Sequence, residues 1–148
     1  MSAYSFLDVD AVLVGAPFGH IDLGSGNANS EEGLEWSYDK PRTSKVIGAD
    51  SNGMIVVNAD RSGTIRVRLL ETSPANAKLT AAMNAVGFST SLHGQAVLTI
   101  RNRANETMVV ASEVSFADVP GDVFGAEPGV KEWVFNAIRI EVMRGEYR

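Results

Sequence analysis

The sequence predicts a mainly β fold with a single α-helix. Most of the chain alternates apolar and polar residues with a period of two, which is typical of strands with one buried face. Glycine-containing tetrads separate these runs in the way that tight turns do. Because 148 residues are the length of one ordinary domain, we predict a single domain over residues 1–148.

The N-terminal third is predicted to contain one hairpin and one long loop. Residues 8–14 and 18–23 are apolar-rich runs on either side of Gly15-Ala16-Pro17, and this order favours a β-hairpin. Residues 25–37 are rich in Gly, Asn, Ser and Glu. We predict a long loop for residues 25–37, and irregular stretches of that length are usually functional or disordered.

A meander of three strands is predicted in the middle of the chain. Residues 50–53 and 60–63 are both tetrads that begin with Asp and end with Gly, which is typical of tight turns. They enclose a short β-rich run at residues 54–58. The next run, residues 64–69, directs one face inward through Ile65, Val67 and Leu69. Strands linked in this way form a meander.

One segment has helical spacing. Ser73 can cap a helix and Pro74 suits its first position, while Gly87 suits its C-terminal end. Apolar residues recur between them at Leu79, Ala82, Met83 and Val86. We therefore predict a helix over residues 74–86 that packs this stripe against the sheet.

The C-terminal half is predicted to hold three strands and a second long loop. Residues 95–101 and 106–116 alternate at period two, with a turn between them at 102–105. The residues predicted to point inward are Ala96, Leu98, Ile100, Met108, Val110, Val114 and Phe116. Residues 117–130 contain two Pro and three Gly with little periodicity, which indicates a loop.

The last strand changes its apolar phase near Ala137. One face carries Trp133, Phe135 and Ala137, and the opposite face carries Ile138, Ile140 and Val142. Either a bulge or the passage of a long strand into a second, near-orthogonal sheet would produce this change. We favour the passage between two sheets, since orthogonally packed sheets turn corners in this way.

Composition excludes several classes of protein. The chain has no Cys, which rules out disulfides and thiolate chemistry, and no run long enough to span a bilayer. The N-terminus lacks the basic region of a secretory signal, so a soluble protein is expected. The net charge of −5 argues against a protein that grips nucleic acid phosphates.

No catalytic, metal-binding or cofactor-binding residue is predicted, and the chain is not expected to be an enzyme. The Gly-rich residues 24–29 lack the lysine of a phosphate-binding loop, and Arg61 stands where a calcium loop beginning at Asp50 would need its closing Glu. A small β-barrel binding module or hydrolase that uses His20 or His93 remains an alternative, without any nucleophile motif to support it.

Nine short stretches, in order along nearly the whole chain, resemble the tail tube proteins of contractile-tailed bacteriophages, the phage structural protein family. No single stretch is specific, but the ordered set is. The stretches are Tyr4-Ser5-Phe6-x-Asp8-Val9, Leu23-Gly24-x-Gly26, Glu31-Glu32-Gly33, Gly48-Ala49-Asp50-x-x-Gly53-Met54, Ser62-Gly63-Thr64, Leu69-Leu70-x-Thr72-Ser73-Pro74-x-Asn76, Gly94-Gln95, Thr99-Ile100-Arg101-Asn102 and Glu132-Trp133-x-Phe135.

The resemblance implies two near-orthogonal antiparallel sheets, as a β-sandwich or barrel, with a flanking helix. It also implies hexameric rings that stack into a hollow tube and conduct double-stranded DNA during injection without binding it specifically. The implied partners are further copies of the chain, a tail sheath protein, a baseplate hub and a tail terminator, in a virion tail assembled in the host bacterial cytoplasm. A tube subunit of a phage-derived bacteriocin or of a type VI-like secretion apparatus remains the alternative.

Candidate contact residues follow from this resemblance. The N-terminal arm, residues 1–7, would expose apolar side chains in a free subunit, which suggests that a neighbour covers them. The inter-subunit candidates are Tyr4, Phe6, Leu7, Glu31, Glu32, Arg66 and Arg68. Arg66 and Arg68 either form a basic patch or pair with acidic loops of other subunits, and we favour the pairing. Lys78 and Asn84 are the sheath-facing candidates, and deletion of the arm should leave a folded subunit that cannot polymerise.

Overall fold

The computed structural model describes residues 2–15, 19–26, 29–86, 91, 93–127 and 129–147, and of residues 29–32 it describes the backbone only. These residues form nine strands and one helix, α1 (Pro74–Val86), after a short 3-10 turn at Phe6–Asp8. The strands are β1 (Val9–Gly15), β2 (Gly19–Asp22), β3 (Asn29–Tyr38), β4 (Thr43–Ile47), β5 (Gly53–Val57), β6 (Gly63–Leu70), β7 (Ala96–Asn102), β8 (Thr107–Asp118) and β9 (Val130–Met143).

The strands form two antiparallel sheets. Seven strands lie in one sheet in the order β2-β1-β7-β8-β9-β6-β3, and the second sheet consists of β4 and β5. The mainly β class with one helix and two antiparallel sheets is thereby confirmed. The large sheet is open in the described residues, with β2 and β3 as its edges, so the chain does not close a barrel by itself.

The core lies on one face of the large sheet. Ile65, Val67 and Leu69 of β6 are fully buried, as the period-two pattern predicts. On the neighbouring strand β9, Phe135 is the cross-strand partner of Ile65, and Trp133 is the partner of Val67. Because side chains at paired positions point to the same face of a sheet, these residues join a single hydrophobic cluster.

The helix has the predicted bounds and packs onto this cluster. The Ser73 Oγ accepts a hydrogen bond from the Ala75 amide at 3.3 Å, which is the capping contact expected at the helix start. Leu79, Ala82 and Val86 of the predicted stripe are buried, and Met83 is half-buried. The predicted C-terminal cap at residue 87 lies outside the described residues.

The first hairpin is also confirmed. β1 and β2 pair in antiparallel register, with Val12 opposite Asp22 and Val14 opposite His20. The remaining turn residues, 16–18, lie outside the described part of the chain.

The predicted loop at residues 25–37 is wrong, because residues 29–38 form the edge strand β3. Leu34 lies opposite Val67 and Trp36 opposite Ile65. The register shifts between Asn29 and Leu34, and Gly33 has a φ of 59° in this irregular stretch. The interruption hides the alternation of Leu34 with the next two aromatic residues, so the sequence pattern resembles a loop.

The predicted meander is also wrong. In the described residues β5 pairs with β4, whereas β6 pairs with β3 and β9. The Asn58 amide donates to the Arg42 carbonyl at 2.8 Å, and the Asp39 amide donates to the Ser62 carbonyl at 3.1 Å. These bonds return the chain to the end of β3 after the β4–β5 hairpin, so residues 60–63 connect two different sheets.

The predicted inward face of β8 is right in its second half and wrong in its first half. Val109 and Ala111 are buried, whereas Met108 is exposed. Glu113 has a φ of 55°, and the register with β7 shifts beside it, from Leu98 opposite Ala111 to Ala96 opposite Val114. The extra residue reverses the phase, since a bulge moves all later side chains to the other face.

β9 changes phase at the same level but stays in one sheet. Ile140 is fully buried and Ile138 is exposed, so the inward face changes between Ala137 and Ile140. Arg139 lies opposite Ser112 and Ala137 opposite Val114, which puts the change beside Glu113. The favoured interpretation, passage of β9 into a second sheet, is wrong, because β9 lies in the seven-stranded sheet and pairs with β8 on both sides of the change.

The helices in the described residues include none with the length and apolar character needed to cross a membrane.

Candidate assembly surfaces

The β4–β5 hairpin exposes apolar side chains on both of its faces. Every residue of its two strands is exposed, and Ile55 and Val57 reach 74% and 72%. We call its large apolar residues the hairpin surface: Val46, Ile47, Met54, Ile55, Val56 and Val57. A two-stranded hairpin is marginally stable alone, and a contiguous apolar patch marks an interaction site. This surface therefore needs a partner.

The hairpin turn is organised around Asp50. Its carboxylate accepts hydrogen bonds from the Asn52 side-chain amide at 2.8 Å and from the Asn52 backbone amide at 3.2 Å. The Gly48 amide donates to the Asn52 carbonyl at 2.7 Å, and Ser51 has a φ of 70°. The side-chain bond from Asn52, followed by the backbone bond, lowers the pKa of Asp50 below its ordinary value of 3.8.

We expect acid to loosen this turn. Because the pKa of Asp50 is lowered by folding, its contribution to the turn is present above pH 3.8 and is lost as the pH falls through the folded value. Hydrogen exchange of the Asn52 amide, followed from pH 6 to pH 2, should show faster opening at the acid end after correction for the intrinsic rate. Asp50→Asn keeps an acceptor that does not titrate, so it should lose this pH dependence. An identical pH profile in both proteins would contradict the assignment.

The base of the hairpin is attached to the large sheet. The Arg42 guanidinium lies over the Tyr38 ring, 5.4 Å from its centroid, and the Tyr38 hydroxyl donates to the Ile140 carbonyl at 2.7 Å. Lys40 Nζ lies 3.5 Å from a carboxylate oxygen of Asp60. These contacts hold the point from which the hairpin projects.

The N-terminal arm packs on the subunit through Phe6. A side-chain atom built at Gly33 would lie 3.4 Å from the Phe6 ring, and the Leu7 carbonyl accepts from Arg103 Nη2 at 2.8 Å. Tyr4 and Leu7 are exposed, as expected. The expectation is wrong for Phe6, which is half-buried because it packs over Gly33. Contact of these three residues with a neighbouring subunit stays a prediction.

Arg66 and Arg68 form ion pairs inside the chain. Arg66 Nε lies 3.2 Å from a Glu132 carboxylate oxygen, and Arg68 lies 3.1 Å from Glu35 and 3.5 Å from Glu132. The four side chains extend across β3, β6 and β9 on the face opposite the core. These pairs partly neutralise Arg66 and Arg68, and their predicted contact with other subunits stays a prediction.

The loop after β8 presents a second apolar surface. Residues 119–127 follow an irregular path, and Phe124 is 93% exposed. We call Val119, Val123 and Phe124 the loop surface; the other two residues are 37% and 74% exposed.

Lys131, on β9, holds the loop in place. Its Nζ donates to the Gly121 carbonyl at 2.9 Å, contacts Asp122 and lies 3.3 Å from Glu71. The hydrogen bond to Asp122, followed by that to Glu71, raises the pKa of Lys131, although desolvation opposes this shift. The loop is therefore held in one position two residues before Phe124.

The remaining candidates lie on strand β3 and the helix. The backbone of Glu31 and Glu32 belongs to β3, and their side chains lie outside the description. Lys78 and Asn84 are exposed on α1. Beside the helix is a groove of about 600 Å³ that includes Asn76, Thr80 and Asn84 in its lining. Contact of Lys78 and Asn84 with a sheath stays a prediction.

The described residues include no group of three or more His, Asp or Glu side chains that could hold a metal ion. His20 and His93 are both exposed.

Sequence reasoning missed the two apolar surfaces. Residues 54–57 form a continuous apolar run, Met-Ile-Val-Val, between two turn tetrads. A strand with one wet face would alternate, so the lack of alternation was the available signal. For the loop surface, the adjacent Val123 and Phe124 in a Gly- and Pro-rich stretch gave a weaker signal.

The family model described as bacteriophage PhiTE tail tube protein matches residues 1–145 of the chain. No curated protein matches it.

Solved structures share the fold. The chain is similar to a chain of the extracellular contractile injection system PVC, in the cryo-EM structure of its sheath–tube complex in the extended state. The identity is 15% over 96% of this chain and 92% of that one, with a TM-score of 0.64. The PVC sheath/tube terminator is 17% identical over 97% of this chain and 98% of that one, with a TM-score of 0.61. The anti-feeding prophage tube-terminating cap is 12% identical over 98% of this chain and 93% of that one, with a TM-score of 0.55.

Proposed function

The chain belongs to the bacteriophage PhiTE tail tube protein family and is a tail tube subunit, and from this premise we propose that its copies form hexameric rings that stack into a hollow tube. The observation that carries the proposal is the hairpin surface, because six exposed large apolar residues on a protruding hairpin need a partner. In a heterologous contact each added copy leaves a new surface free, so copies of the same chain can cover one another's hairpin surfaces along a growing assembly.

Open sheet edges support association between copies. β2 and β3 end the seven-stranded sheet, and unpaired strand edges are templates for pairing with another chain. We propose that neighbouring subunits cover these edges, so that the open sheets of one ring form a continuous wall. On this proposal, residues 1–148 act as one domain, with the arm and the loop surface as contact segments.

The proposed partners follow the family and its structural relatives. Those relatives belong to a sheath–tube complex, a sheath/tube terminator and a tube-terminating cap, and a further relative with 13% identity and a TM-score of 0.52 belongs to the anti-feeding prophage baseplate. We propose that this chain likewise meets a sheath, a terminator and a baseplate hub, in a tail assembled in the host bacterial cytoplasm. The exposed helix residues Lys78 and Asn84 are the proposed sheath contacts.

We propose that the lumen conducts double-stranded DNA without binding it. With −5 on each subunit, a hexamer carries 6 × (−5) = −30, and a channel wall of that sign would repel phosphates. A bacteriocin or secretion tube would have the same fold and an empty lumen. Capsid and terminase genes beside the gene for this chain would favour the DNA conduit, and their absence would favour the alternative.

The proposed role of the protein is to form the wall of a tube, and it does not include catalysis. Electron microscopy of the purified protein at high concentration should show rings or hollow rods. His20→Ala/His93→Ala should assemble like the unchanged protein, since both side chains are exposed and an edge strand such as β2 pairs through its backbone. A monomer at every concentration, checked by light scattering, would refute the proposal.

A further inference from the structure

The hairpin surface and the loop surface lie at opposite ends of β6. β3 ends at Tyr38 opposite Gly63, and the β4–β5 hairpin occupies the connection between this point and the start of β6. At the other end of β6, Leu70 lies opposite Val130, the first residue after the loop. Eight strand residues separate the two ends by about 23 Å. One copy therefore cannot bring its own two surfaces together.

The two surfaces have complementary charge beside their apolar residues. Lys45 is the cross-strand partner of Ile55, and Arg42 lies just before β4. On the loop, Asp118 and Glu127 flank the apolar residues and both are exposed. The third acidic residue of the loop, Asp122, is engaged by Lys131 within the chain. The charge beside the apolar residues is thus positive at the base and on the strands of the hairpin and negative on the loop, while Asp50 lies in the hairpin turn at the end of β4.

The loop surface is also held ready for binding. Lys131 contacts both Gly121 and Asp122, so the loop does not have to be ordered when a partner arrives. Preorganisation of this kind lowers the entropy cost of association. Phe124 is also of a residue type that is enriched at protein interfaces.

We propose that the hairpin surface of one copy docks on the loop surface of the next copy, which gives the tube a head-to-tail contact. This inference rests on the proposed function and adds the receiving surface to it. The contact is heterologous, because each copy contributes a different surface, and it leaves one hairpin and one loop free to continue the assembly.

Disulfide cross-linking tests the contact directly, because the chain has no cysteine. Ile47→Cys/Val123→Cys leaves Ile55 and Phe124 in place and puts one thiol on each surface, with the first on the same hairpin face as Ile55. Under mild oxidation of assembled protein, a ladder of covalent trimers and longer species is expected. A disulfide needs Cα atoms within about 7 Å, so the two thiols of one copy cannot pair. Ile47→Cys/Lys78→Cys, with its second thiol on α1, should give no ladder.

Charge reversal gives an independent measurement. Lys45→Glu and Glu127→Lys should each raise the concentration needed for tubes about tenfold, since an attraction becomes a repulsion. An equimolar mixture of the two variants should recover assembly, because every hairpin-to-loop contact in an alternating polymer is again complementary. Tubes without a ladder and without recovery in the mixture would overturn this contact and leave the proposed function standing. Absence of tubes from the unchanged chain would overturn both.

Discussion

Replacement of Ile55 and Val57 by Asp is expected to abolish tube formation and to leave the subunit folded. Both side chains are more than 70% exposed in the free chain, so the change removes no core contact. Burying one such side chain fully stabilises a contact by about 1.5–3 kcal/mol, so the pair supplies about 3–6 kcal/mol. The double variant would in addition bury two unpaired carboxylates, which is costly.

The effect of the double variant can be measured as a change in the concentration needed for assembly. A loss of 1.4 kcal/mol is a factor of ten in affinity, so the concentration needed for assembly should rise more than about 100-fold. Sedimentation of polymer against total concentration measures this value, and thermal unfolding checks that the subunit is intact. Ala85→Asp adds one carboxylate, half the added charge, at an exposed helix position and should assemble normally. Unchanged assembly of the hairpin variant would show that the hairpin surface has another purpose.

Phe135→Ala is expected to cost the subunit about 3–5 kcal/mol of its free energy of unfolding. Phe135 is fully buried on β9, opposite Ile65, and its ring centroid lies 5.4 Å from that of Phe116. Removing the ring leaves a cavity in the middle of the cluster, where packed strands on both sides limit collapse. The unfolding temperature should fall by about 6–20 °C for a chain of this size.

The matched control is Phe124→Ala, the same substitution at a residue that is 93% exposed. It should change the free energy of unfolding by less than about 0.5 kcal/mol, because it removes almost no buried area. It should nevertheless weaken assembly if the loop surface receives the hairpin. Urea unfolding at a concentration below that of assembly separates the two effects. Equal loss of stability in both variants would contradict the placement of Phe135 in the core and Phe124 outside it.

The elements that could be predicted from the sequence depend on signals close together in the chain. The bounds of α1 are those given by Ser73, Pro74 and the apolar stripe, because capping and helical periodicity act over one to three turns. The buried face of β6 follows from strict alternation over residues 64–69. The first hairpin follows from two strand runs around a short Gly- and Pro-containing turn.

The wrong predictions for β3 and β8 share one cause, which is an interruption of the strand pattern. Gly33 in β3 and Glu113 in β8 interrupt the pleat, and each interruption moves later side chains to another face. Sequence alternation does not show how many residues a bulge contains or where the partner strand continues. The pairing of Arg66 and Arg68 with Glu132 likewise depends on residues far away in the chain.

The sequence by itself determined the β class, the helix, the family resemblance and the absence of cysteine chemistry. Only the tertiary structure decided that residues 43–57 form a separate, projecting hairpin, and that Phe6 packs on its own subunit while Tyr4 and Leu7 stay exposed. The physical reason is that an apolar run has the same local pattern whether its own core or another molecule covers it. Burial depends on the three-dimensional partner of each strand, and that partner is chosen by the whole chain.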